Sequence, residues 1–151
     1  MALATFPLGK DAKLYRNTAT YASPTWNECD NVKDLTLTLT KAEYDATRRA
    51  SGGWRETIGT IKDIEISFSA VNSPTDTDLQ AFRDAFLNGT TLEIWCLTGV
   101  RTDAEAEGPR FHCVVTEFTR EEQLEGGQEL SITVKPAPNA SASPAWANGA
   151  P

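Results

Sequence analysis

Few side chains in this sequence could make or break a covalent bond. Its one histidine, His112, lies mid-strand in an alternating stretch with no second ligand or nucleophile nearby, so no set of nucleophile, base and orienting group is spelled out. Cys29, Cys96 and Cys113 lack the C-x-x-C spacing of a zinc site, and three thiols cannot all pair within one chain; they are expected to be reduced and mostly buried. Glu121-Glu122 imitates a glycosidase dyad, but neighbours along a strand point to opposite faces, and a solvated edge accounts for them better. Gly52-Gly53 and Gly126-Gly127 are turn pairs, and no glycine-rich phosphate loop opens a helix. Trp26, Trp54 and Trp95 could stack sugars, although tryptophan more often fills a core or an interface. The expectation is therefore no catalytic residue, no metal site and no cofactor.

Composition narrows the classes further. The chain has 151 residues, and 21 acidic against 14 basic side chains leave a net charge of −7, which repels phosphate backbones and anionic membranes. Nothing approaches a membrane-spanning apolar run, and Met1 to Pro7 lacks the basic start and long apolar stretch of a signal peptide. One soluble domain, made in cytoplasm and without a membrane partner, is the expectation.

The alternation of residues divides the chain into short strands and one helix. Ala12 to Arg16 and Trp26 to Cys29 read as small extended segments. From Val32 to Lys41, Leu35, Leu37 and Leu39 point one way while Asp34, Thr36, Thr38 and Thr40 point the other. Ile58 to Ala70 repeats the pattern, with Ile64, Ile66, Phe68 and Ala70 opposite Asp63, Glu65, Ser67 and Ser69; the two segments are expected to pair. The helix spans about Asp76 to Asn88, with Leu79, Phe82 and Phe86 on its apolar face and Asp78, Gln80, Arg83 and Asp84 on the other. Thr77-x-x-Gln80 could form a capping box at its start, and Asn88-Gly89 supplies its stop.

Thr91 to Thr98 is apolar on both surfaces, with Leu92, Ile94 and Cys96 on one side and Trp95 and Leu97 on the other, so a helix or a neighbouring subunit must cover the second face. Arg110 to Arg120 shifts phase between Val115 and Phe118, as a β-bulge would make it do. Gln128 to Lys135 completes the sheet with Leu130, Ile132 and Val134 against Glu129, Ser131 and Thr133. Residues 137–151 read as a Pro/Ala-rich arm, pinned by Trp146, beyond a domain of residues 1–136. The 42–57 connection is too long for a tight turn and carries Arg48, Arg49, Trp54 and Arg55, residue types enriched where proteins touch.

In order, Gly9-Lys10-Asp11-Ala12-Lys13-Leu14-Tyr15, Val32-Lys33-Asp34-Leu35-Thr36-Leu37, Gly53-Trp54-Arg55, the helix end Leu79 to Gly89 and Val134-Lys135-Pro136 resemble the phage tail tube proteins, the major tail proteins of long-tailed phages and prophage-derived particles. The likeness spans about residues 9 to 136. It implies a mainly β fold, a β-sandwich or distorted barrel with one flanking α-helix and a long projecting inter-strand loop. It also implies a structural role in a virion tail: six copies per ring, stacked rings, a lumen that conducts DNA without binding it specifically, and tape-measure, tail-terminator and baseplate proteins as partners, with the host cytoplasm as the site of the subunit before assembly.

On that reading Arg48, Arg49, Trp54, Arg55 and Trp95 are expected at subunit interfaces. Asp34, Thr36, Thr38, Asp63, Glu65, Ser67, Glu129, Ser131 and Thr133, which include no Lys or Arg, are expected to line the lumen. A ring of six would carry on the order of −42 and push a passing polyanion off its wall. Two alternatives stand beside it: a tube for protein effectors in a contractile injection or secretion system, and a monomeric glycan-binding β-sandwich using the tryptophans.

Overall fold

The computed structural model describes residues 8–138 and 143–149. Its elements run β1 (Lys13–Asn17), β2 (Trp26–Glu28), β3 (Val32–Asp45), β4 (Thr57–Val71), α1 (Thr77–Asn88), β5 (Leu92–Leu97), β6 (Glu107–Glu122), β7 (Gln128–Pro136) and β8 (Ala145–Asn148). All strand pairings are antiparallel, in the order β2-β1-β5-β6-β7-β4-β3, with β8 added to the start of β6. The sheet is not closed. Residues 29–31 carry the chain from β2 on one margin to β3 on the other, so the sheet curls and its two halves share one core.

The alternation of small apolar and polar residues builds that core as anticipated. Leu14 of β1, Ile94 and Cys96 of β5, Phe111, Cys113 and Val115 of β6, Ile66, Phe68 and Ala70 of β4, and Leu130, Ile132 and Val134 of β7 are buried together. Helix α1 closes it with Leu79, Phe82 and Ala85, and Phe82 meets Phe68 edge-on at 5.2 Å between ring centroids. Two details depart from expectation. Phe86 lies past the covered stripe and is half exposed, whereas Asp78, assigned to the polar face, is buried where it accepts from Arg16 Nε at 2.8 Å and Asn27 Nδ2 at 2.7 Å. The expected capping box does not form either: Asp76 is the N-cap and accepts from the Asp78 amide at 2.8 Å, while Gln80 donates to the Pro74 carbonyl.

The pairing of the two most regular segments is observed, but the strands are longer than their alternation suggested. β3 and β4 stay paired out to Asp45↔Thr57 through a bulge near Lys41. What read as a loop from 42 to 57 is therefore the end of a β-hairpin, turned by a short 3-10 segment at Arg49–Ser51 and by Gly52 and Gly53, whose φ of 67° and 88° suit a residue without a Cβ. The phase shift in β6 is a register shift between Val115 and Glu117. The region expected as an arm returns to the sheet as β8. Ala147 packs on the small cluster of Tyr15, Trp95, Leu97 and Ala106 while Trp146 stays half exposed, so the backbone pairing and Ala147 hold this segment. Met1 to Pro7, and 139–142 and 150–151 of the arm, lie outside the described residues.

Candidate functional site

Three features of the sheet bear on function: one polar face, one projecting hairpin and, among the described residues, the unpaired margins of β3 and of the second half of β6. The polar face belongs to the four-stranded portion formed by the second half of β6 with β7, β4 and β3. Strand periodicity puts alternate residues on one side, and the register aligns them in rows: Glu117, Thr133, Ser67 and Thr36; Thr119, Ser131 and Ser69; Glu121 and Glu129; and, farther along, Glu65 with Thr38 and Asp63 with Thr40. Ser67 Oγ and Thr133 Oγ1 lie 3.3 Å apart, and the Asp34 amide donates to Ser69 Oγ at 3.3 Å. All nine residues expected on a lumen wall thus belong to one face of one sheet.

The absence of cations from that face needs correcting. Lys135, on the same side of β7, sits between two carboxylates, 3.9 Å from Asp63 Oδ2 and 3.8 Å from Glu65 Oε2, and Lys33 reaches Glu129 Oε1 at 2.7 Å. The face remains acidic because β6 adds Glu117 and Glu121. Those two were missed in the sequence because the bulge, visible there only as a phase shift, decides which β6 residues join the row.

The hairpin is the second feature. β4 pairs with β7 only as far as Ile66↔Val134, so among the described residues Thr57 to Glu65 have β3 as their sole strand partner. At a rise of about 3.3 Å per residue, this stretch of ribbon is about 26 Å long. Arg48, Arg49, Trp54 and Arg55 all fall at its tip, with Trp54 79% exposed and Tyr44, Ile58 and Ile61 exposed along the ribbon.

Trp95 does not join them. It is 6% exposed, packs 5.3 Å from Trp26 within a small cluster with Tyr15, Leu97, Ala106 and Ala147, and donates from Nε1 to the Gly108 carbonyl at 3.3 Å. The second face of β5 is covered from within the chain, which removes the need for a neighbour there. The same arrangement breaks up the proposed sugar platform, since Trp95 is buried with the half-buried Trp26 packed on it and Trp54 stands apart at the hairpin tip.

Beside Trp95 lies a buried ionic cluster that alternation could not reveal. Glu93, 5% exposed, accepts at Oε1 from Asn17 Nδ2 (3.1 Å) and from Arg110 Nε (3.0 Å) and Nη2 (2.9 Å). Its Oε2 is 3.1 Å from His112 Nε2. Arg110 also lies over the rings of Tyr21 (4.4 Å) and Trp26 (5.0 Å), which ties the 18–25 loop to the sheet. His112, expected as a plain sheet residue, is one side of this cluster. The three thiols are buried and free, and burial pushes Cys96 up to about 11 and Cys113 up to about 12, far from a reactive thiolate at neutral pH. Among the described residues no group of three or more His, Cys, Asp or Glu could hold a metal ion, and no helix is long and apolar enough to cross a membrane.

The margins are the third feature. Among the described residues the outer edge of β3 has no strand partner, and β6 beyond Cys113 has none on the side away from β7, where β5 has ended. Such rows of unpaired N–H and C=O groups are templates for another strand.

This open, one-faced sheet with a flanking helix is the fold of solved tail tubes. The chain is similar to a protein from the tail of an empty gene transfer agent particle refined with C6 symmetry (TM-score 0.72, 20% identity, 95% of this chain and 98% of that one). It is also similar to the SPP1 tail tube protein (TM-score 0.74, 12% identity, 95% and 80%) and to a chain of the anti-feeding prophage baseplate (TM-score 0.62, 5% identity, 97% and 98%). No curated protein is similar enough in sequence to count as a relative. Residues 8–137 match the family described as phage tail tube protein, and the chain belongs to that family. Its role is that of a structural subunit of a tail tube.

Proposed function

We propose that six copies close into a ring by joining the β3 edge of one subunit to the β6 edge of the next, and that stacked rings enclose a lumen walled by the polar face and passable to DNA. The observation that carries this reading is the pair of open margins on one four-stranded sheet. Because its strands alternate in direction and are even in number, β6 and β3 run oppositely, so each junction between copies continues the antiparallel pattern and rotation closes it without a seam. Six copies contribute four strands each, more than the 16–18 strands that leave an aqueous channel in porins.

The acidic face supports DNA as the cargo. Asp34, Asp63, Glu65, Glu117, Glu121 and Glu129, offset by Lys135 and Lys33, give a wall that repels phosphates and offers no array of cations for counterion-release binding. Interface roles for Arg48, Arg49, Trp54 and Arg55 rest on their exposure at the end of the ribbon. Tape-measure, terminator and baseplate proteins as partners, residence in a virion tail after folding in the host cytoplasm, and a tube domain ending near 136 belong to the same reading. Electron microscopy of the purified protein tests it: rods of uniform bore with six-fold end views are expected, and separate single subunits at every concentration would overturn it.

A further inference from the structure

Two apolar patches flank the open margins on the side of the sheet away from the polar face. Leu79, Gln80 and Arg83 of α1 line a shallow cleft with Phe118 and Arg120 of β6, and helical spacing carries that stripe on to Phe86, half exposed, and Leu87, 69% exposed, in the last turn. Soon after, the chain enters β5 at Leu92, the partner of Cys113, where the free stretch of β6 begins. Phe86 and Leu87 therefore stand over that end of the β6 margin. At the other margin, Leu39, 55% exposed, and its cross-strand partner Ile64 form with Pro136 and Pro144 an open groove of about 660 Å³.

The charges around the two patches are complementary. Lys41 and Lys62 face each other across the strands at the rim of the groove, an unfavourable like-charge pair, and among the described residues neither takes part in an ion pair. The end of α1 has the opposite need: its last turn carries no basic residue, its one cation, Arg83, is held 3.2 Å from Asp84, and its terminal carbonyls form the negative end of the helix dipole.

We propose that the last turn of α1 docks in the Leu39–Ile64 groove of the next copy of the same ring, with Phe86 and Leu87 covering Leu39 and Ile64 and the helix C-terminus resting against Lys41 and Lys62. The inference rests on the joining of the β6 and β3 edges and deepens it by naming what seals that seam on the side away from the lumen. Antiparallel joining brings the Cys113 end of the β6 margin to the Lys41 end of β3. Seating Phe118 beside Leu37, the middle of the three core-facing leucines, sets Thr116 beside Leu39 and Val114 beside Lys41, so that Phe86 and Leu87 overhang the groove.

Leu87→Lys tests the contact by setting a third cation against Lys41 and Lys62. It is expected to melt like the wild type yet shorten tubes at least tenfold, and a chain that also carries Lys41→Glu and Lys62→Glu is expected to regain wild-type length. A second arm treats intact tubes of Leu39→Cys with Leu87→Cys with a short bis-maleimide. It is expected to give a covalent ladder that stops at the hexamer, because a contact inside a closed ring links only six copies, while the wild type, whose thiols are buried, gives none. Wild-type-length tubes from Leu87→Lys, no recovery in the combined chain, no link between copies, or a ladder running past six overturns the docking while leaving the tube reading in place. Failure of the unmodified protein to polymerise overturns both.

Discussion

Glu93 shows what one residue can hold together. In a strand whose other members are apolar it looks like a solvated position, yet it joins β1, β5 and β6 through Asn17, Arg110 and His112. Removing one partner of a buried, hydrogen-bonded ion pair strands the other, at a cost of about 3–5 kcal/mol. Glu93→Ala is therefore expected to lose about that much in urea unfolding, whereas Lys33→Ala, which breaks the exposed pair with Glu129, should lose under about 1 kcal/mol. Equal losses would remove the cluster's special place in the fold. Asp78 was hidden for the same reason: its partners, Arg16 and Asn27, are distant in sequence, and helical periodicity reports only the side on which a residue falls, not what waits there.

At the scale of elements, the strands and the helix were legible because period-two and period-3.6 patterns record directly which side is buried, as in Leu35, Leu37, Ile66 and Phe68. The far part of the β3–β4 ribbon was not, because both its faces are exposed and nothing there enforces alternation. Tyr44 and Ile58 are paired neighbours, yet each is left in solvent. A ribbon with so little burial adds little to the subunit's stability. Replacing Arg48, Arg49 and Trp54 with alanine should shift unfolding by no more than about 0.5 kcal/mol per site, while abolishing tube growth in micrographs. Tubes of normal length from the triple variant would place the ribbon outside the interfaces.

For the whole molecule, the polar face was largely readable, from Asp34 across to Thr133, because its members sit on clean alternating strands. Its cations and its β6 members were not. Lys135 enters through the last residues of β7, and Glu117 and Glu121 enter through the bulge. Which edges stay bare was not legible either, since that depends on where β5 ends against β6. Changing Asp63 and Glu65 to lysine would set three cations in a row with Lys135. Assembly should survive, as these residues stand on a face rather than at an edge, but DNA delivery by the resulting particles should fall. Unchanged delivery would mean that these carboxylates do not face the passing genome.

The bare margins also shape the life of the chain before it meets its neighbours. Among the described residues a newly made copy has borders at β3 and at the end of β6 without a strand partner, and the same backbone groups that would knit a ring would accept any stray strand. Lys33, Asp34, Lys41 and Glu43 along β3 act as gatekeepers against such misplaced partners, since a charged row tolerates water better than an unmatched sheet. Growth from an ordered template is then the productive escape from clumping, and the timing of synthesis becomes as much a part of the design as the shape.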